Sequence, residues 1–126
     1  MNESQVTRRR PVWIALSALW LDTEIEPGEL ENIARVMIDS GLTNEELREA
    51  YLIEVAPVVY RNLLSVAGEW QGFDEEWLCA EIARNLRERP RRTRWLGWFF
   101  LTRRTMTYAT EDHWESLMDI VRRHRA

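Results

Sequence analysis

A single cysteine, Cys79, excludes an internal disulfide, and with it the disulfide-stapled extracellular scaffold, so the cytoplasm is the default compartment. Lysine is missing altogether: all seventeen basic residues are arginine, a bias that reads as coding composition rather than mechanism. The two histidines, His113 and His124, stand eleven residues apart and not at the spacing of three to five typical of a zinc-binding helix. Glycines are few and form no phosphate-cradling loop, and no serine sits in a nucleophile elbow. The longest apolar run, Val12 to Leu21, is short of the roughly 20 residues that cross a bilayer. Three arginines precede it, as in a signal peptide, but no small-residue cleavage site follows, so it is expected to be a buried helix. No repeat, low-complexity tract or flexible linker interrupts the chain.

What is present is bulk and charge. Of 126 residues, 45% are hydrophobic and 30% charged, too rich in large side chains for disorder and suited to one domain around one core. Seven tryptophans exceed the ordinary share, and large aromatics either fill a core or anchor a binding surface. Charge is uneven: residues 11 to 81 hold fifteen acids against three arginines, and residues 82 to 126 hold eleven arginines against five acids. Such halves either neutralise one another in the fold or present a bipolar surface that steers a partner.

Hydrophobic spacing predicts an all-α, compact single-domain bundle of about six helices spanning residues 11–126, preceded by a flexible basic arm at residues 1–10. Pro11 suits a first helical turn, and Trp13, Leu16, Leu19 and Trp20 give that helix apolar character nearly all round to about Asp22. A second helix runs from about Glu29 to Asp39 and closes at Ser40-Gly41, where glycine can take the left-handed conformation. Thr43 and Glu46 have the spacing of a capping box and start a third helix, which Pro57 is expected to kink or split. Asp74 can cap a further helix that Pro90 stops. Residues 95–101 are aromatic enough for a buried strand, but no segment offers a partner strand, so a helix to about Met106 is preferred before a final helix carrying Trp114, Leu117, Met118 and Val121.

Between the acidic and basic parts lies a structural hinge, Asn62 to Asp74, built on Asn62, Gly68, Trp70, Gly72 and Asp74. Candidate partner-binding residues are Asp22, Glu24, Glu69, Trp70 and Gln71 on the acidic side, and Arg91, Arg92, Arg94 and Trp98 on the basic side. The acids could also converge on a metal, but capping explains Asp22, and the carboxylate-histidine pairing of bundle metal sites is absent. Glu54 stands apart: set among Ile53, Val55, Ala56 and Pro57, it either projects outward or is buried with a partner such as Arg61 or free backbone N–H groups. Cys79 could meet His113 as a nucleophile pair only through folding, and a small core residue is the simpler assignment.

The segments Trp13 to Glu24, Glu54 to Val59 and Asn62 to Asp74 resemble a family of small bacterial proteins of uncharacterised function, over residues 10 to about 88. The resemblance implies no enzyme activity and transfers no catalytic residue. In size, acidity and aromatic content the chain is also similar to immunity proteins that neutralise toxins.

The function expected is therefore non-enzymatic binding of a macromolecule, with a protein as partner, no cofactor, no metal and no membrane association. Two alternatives stand beside it. Arginines 84 to 104 interleaved with aromatics would suit nucleic acid, although a net charge of minus four opposes it. A metal- or cysteine-dependent enzyme would use the acids or Cys79.

Overall fold

The computed structural model describes residues 2–21, 25–65, 74–88, 107, 108 and 110–126. Among these there is no strand, and five helical rods lie wholly within them: α1 (Glu3–Leu21), α2 (Pro27–Asp39), a continuous rod of α3 (Asn44–Glu49), a π-helical segment (Ala50–Val55) and α4 (Ala56–Ser65), then α5 (Glu75–Glu88) and α6 (Glu111–Arg125). The all-α expectation holds in that form. The helix expected to about Met106 and the strand considered for residues 95–101 lie outside the described residues.

The first helix differs from expectation at its start. Residues 3–10, anticipated as a basic arm, are the first turns of α1, and Pro11 lies inside the helix. The cause is local. The Gln5 backbone N–H donates to Asn2 Oδ1 at 2.8 Å and the Asn2 N–H to Gln5 Oε1 at 2.9 Å, a reciprocal cap that satisfies two donors a helix start leaves free. Beyond Pro11, Val12, Trp13, Leu16 and Leu19 recur at helical spacing and are buried.

Helix α2 begins with Pro27 in the first turn and ends as its sequence indicates. Gly41 takes φ +73°, the left-handed region that an L side chain enters only with strain. Thr43 then caps α3: its hydroxyl accepts from the Glu46 N–H at 3.1 Å while Glu46 Oε1 accepts from the Thr43 N–H at 3.0 Å.

At Pro57 the chain answers the missing N–H without breaking. The six residues before Ala56 adopt π-helical register, in which the Ala56 N–H reaches back five residues to the Tyr51 carbonyl. A π insertion shifts the hydrogen-bond ladder by one residue, and this one sits directly upstream of a proline that cannot serve its i−4 carbonyl. The predicted kink or split is thus a change of register within one rod.

The core gathers around this rod. Helix α1 packs on α2, α4, α5 and the π segment, while α2 lies along α6. Leu16, Met37, Leu47, Val55, Val59, Leu78, Ile82, Leu117 and Val121 fill the space between. The far end of α6 is tied to the α2–α3 turn by Arg125, which donates to Asn44 Oδ1 and to the Leu42 carbonyl, both at 2.6 Å.

Candidate functional site

The π segment carries two buried polar side chains: Glu54, fastened to α1, and Tyr51, stacked on α6 with a second ring contact to α1. Glu54 is 2% exposed and faces α1. Arg9 Nη1 donates to its Oε2 at 2.5 Å and Trp13 Nε1 donates to its Oε1 at 2.7 Å, so both carboxylate oxygens have partners. A buried carboxylate must be met in this way, because its desolvation costs several kcal/mol without a counter-charge. Arg61, considered from sequence as the partner, has its side chain outside the described residues.

The same arginine reaches further. Arg9 Nη2 donates to Glu46 Oε2 at 3.1 Å and lies 4.0 Å from Glu49 Oε2, while Arg8 Nη2 stands 3.5 Å from Glu46 Oε2. Glu46 therefore serves as capping residue of α3 with one oxygen and as ion-pair partner of α1 with the other. The Thr43 backbone N–H bonded to it holds its carboxyl below the usual carboxylate range; the Thr43 hydroxyl and the charges of Arg9 and Arg8 act in the same direction against partial desolvation.

Tyr51 faces the opposite helix. Its ring lies parallel to that of Trp114 with centroids 4.3 Å apart and meets Trp20 at 5.5 Å. Its hydroxyl is 2.6 Å from Thr110 Oγ1, and Thr110 donates onward to the Thr107 carbonyl at 3.1 Å. Burial pushes the phenol up to about 12, with the Thr110 hydrogen bond working the other way. Thr110 directs its side chain into this contact and makes no side-chain cap for α6.

Of the residues singled out from sequence, Asp74 is at the start of α5, exposed, with Oδ1 accepting from the Glu76 N–H at 3.2 Å, as a capping aspartate should. Asn62 lies within α4, its side chain outside the described residues. Asp22, Glu24, Gly68, Glu69, Trp70, Gln71, Gly72, Arg91, Arg92, Arg94 and Trp98 all lie outside the described residues. Cys79 is buried, and burial pushes its thiol up although the Arg10 side chain beside it acts in the opposite direction, so the thiol form is held. Among the described residues no group of three or more histidine, cysteine, aspartate or glutamate side chains could hold a metal ion, and no helix is long and apolar enough to cross a membrane.

Arg9 and Tyr51 carry no functional signature in the sequence alone. For Arg9 the available signal was Asn2 with Gln5 three residues on, which starts a helix early enough to bring the arginine onto its inner face. For Tyr51, its place beside Glu54 ahead of Pro57 marks the rod but not the partner.

Fold and site together define an all-helical domain whose central rod is bolted to one neighbour by charge and to another by aromatic stacking. The chain belongs to a family described as a domain of unknown function, DUF7079, which matches residues 7–120. No curated protein and no solved structure matches it.

Proposed function

We propose that this is a non-enzymatic protein-binding protein, of immunity or antitoxin-like role in the cytoplasm of a bacterium, that engages a partner bearing exposed arginine or lysine side chains. One observation carries the reading. Two large hydrophobics stand exposed among the described residues, Trp77 at 40% and Tyr108 at 82%, and both sit beside acids at a helix start. Trp77 directly follows the exposed Asp74, Glu75 and Glu76 of α5, and Tyr108 precedes the exposed Glu111 and Asp112 of α6. An exposed aromatic ring next to carboxylates suits a cationic side chain, whose stem packs on the ring while its head meets the acids. The same carboxylates repel a phosphate backbone, and residues 11 to 81 add a balance of minus twelve to long-range steering of a basic protein. The candidate residues Asp22, Glu24, Glu69, Trp70 and Gln71 belong to that acidic stretch, and the binding role assigned to them stands as part of this proposal.

The test is affinity capture from the native host with the wild-type chain and with the Trp77→Ala, Tyr108→Ala double variant, each checked for helical content. A single basic protein is expected with the first and a loss of at least about tenfold with the second, the scale of an interface anchor. Nucleic acid in place of protein, released steeply as salt rises, would overturn the reading in favour of the arginine-rich second half.

A further inference from the structure

The first two turns of α1 are built as a separable unit. Asn2 and Gln5 cap them from within, so their start depends on nothing outside the segment. Pro11 marks their end, since it has no N–H for the Thr7 carbonyl and its ring crowds that carbonyl. From Asn2 to Arg10 every side chain is exposed except the half-buried Val6 and the buried Arg9. Next to α5 the seating is incomplete: a cleft of about 250 Å³ opens between Glu3 and Val6 on this segment and Ala83, Leu86 and Arg87 on α5. What fastens it most firmly is the guanidinium of Arg9, placed between Glu54, Glu46 and Glu49, with the Trp13 indole on the far oxygen of Glu54; Val6 against the core and Arg10 beside Cys79 of α5 add lesser contacts. Three carboxylates lie within 4.0 Å of this guanidinium, and among the described residues Arg8 pairs with Glu46 alone.

We propose that Glu3–Arg10 is a latch hinged at Pro11, and that Glu46, Glu49, Glu54 and Trp13 form a guanidinium pocket which Arg9 fills in cis and which an arginine of the partner protein enters when the latch lifts. The pocket is a property of this chain alone; only the identity of its second occupant rests on the protein-binding reading above. Lifting the latch uncovers little apolar surface, so the opening is limited by the Arg9 ion pairs, which an incoming guanidinium can replace. The planar fork of an incoming arginine meets the same carboxylate oxygens that Arg9 leaves, in a geometry an ammonium cannot reproduce.

Amide hydrogen exchange and the Trp13 indole N–H resonance test this on the isolated full chain. In Arg9→Ala, the hydrogen-bonded amides of the segment, residues 5–10, are expected to exchange at least about tenfold faster while those of residues 12–21 are unchanged, the pattern of local opening. Methylguanidinium at millimolar concentration is expected to shift the Trp13 indole resonance saturably in that variant and not in the wild type. Pro11→Ala, which restores the donor to Thr7, is expected to slow exchange across residues 5–10. Faster exchange spread evenly over α1 and the central rod, no saturable shift, or the same shift in the wild type would overturn the pocket; unchanged or faster exchange in Pro11→Ala would overturn the hinge. If Arg9→Ala does not fold, Arg9→Lys replaces it, with faster exchange confined to residues 5–10 expected and unchanged exchange contradicting the latch. These outcomes are independent of partner capture, so the latch and the binding reading fail separately.

Discussion

Glu54 and Tyr51 lie three residues apart on one π-helical segment, both almost wholly buried, yet they are held by unlike physics. Glu54 is a charge in the interior, tolerable only because Arg9 and Trp13 occupy both its oxygens. Tyr51 rests on area: a parallel ring contact with Trp114 and a tilted one with Trp20, with one neutral hydrogen bond at the rim. The charged anchor fails sharply when one member is lost, because the remaining charge is stranded. The aromatic anchor degrades gradually, because each contact contributes separately.

The largest expected effect is on the charged side. Trp13→Ala removes a ring with no exposed surface together with the indole donor to Glu54, and should cost about 4 kcal/mol in chemical denaturation, the scale of deleting a buried large aromatic. Arg9→Ala should follow at about 3 kcal/mol, the low end for breaking a buried pair, because lifting of the segment before Pro11 lets water reach Glu54.

On the aromatic side the response depends on pH. The Tyr51 phenol is pushed up to about 12 in the folded state against an ordinary value of 10. The folded state thus favours the neutral form, and its contribution is complete below pH 10 and is lost as pH climbs from there toward 12. Denaturation midpoints should fall over that range. Tyr51→Phe should cost about 1 kcal/mol at neutral pH, the net worth of one hydrogen bond, and should flatten the Tyr51 part of the alkaline decline. A cost near that of Arg9→Ala would erase the contrast between the anchors. Smallest is Thr43→Ala, at about 0.5 to 1 kcal/mol, which removes a cap hydroxyl and loosens the frame in which Glu46 meets Arg9.

Much of the frame was legible because it is local. The Thr43–Glu46 box and the left-handed Gly41 each depend on residues within a turn of one another, and both are present; the kink or split expected at Pro57 is met only as a change of register in a continuous rod. The apolar stripes that bury Trp13, Ile33, Met37, Ile82 and Leu117 follow from helical spacing alone. Glu54 was marked as a residue that needs a partner if buried, because a lone acid in an apolar run has few options. Its partner was not legible, since Arg9 is 45 residues away in the chain, as Thr110 is 59 from Tyr51. Neither distance leaves a pattern in one sequence. Residues 3–10 differ for another reason: the general tendency of chain ends to lie loose gives way here to the Asn2–Gln5 cap, whose two side chains start the helix. The hinge around Trp70 and the arginine cluster around Arg92 rest on composition alone.

The double-mutant cycle of Arg9→Ala and Glu54→Ala, read by chemical denaturation at neutral pH, bears most directly on the charged anchor. A coupling of about 2 kcal/mol is predicted, within the range of contacting residues in one network. A coupling below about 0.5 kcal/mol would mean that the two side chains contribute independently, and that the Arg9–Glu54 ion pair is not what anchors α1 to the central rod.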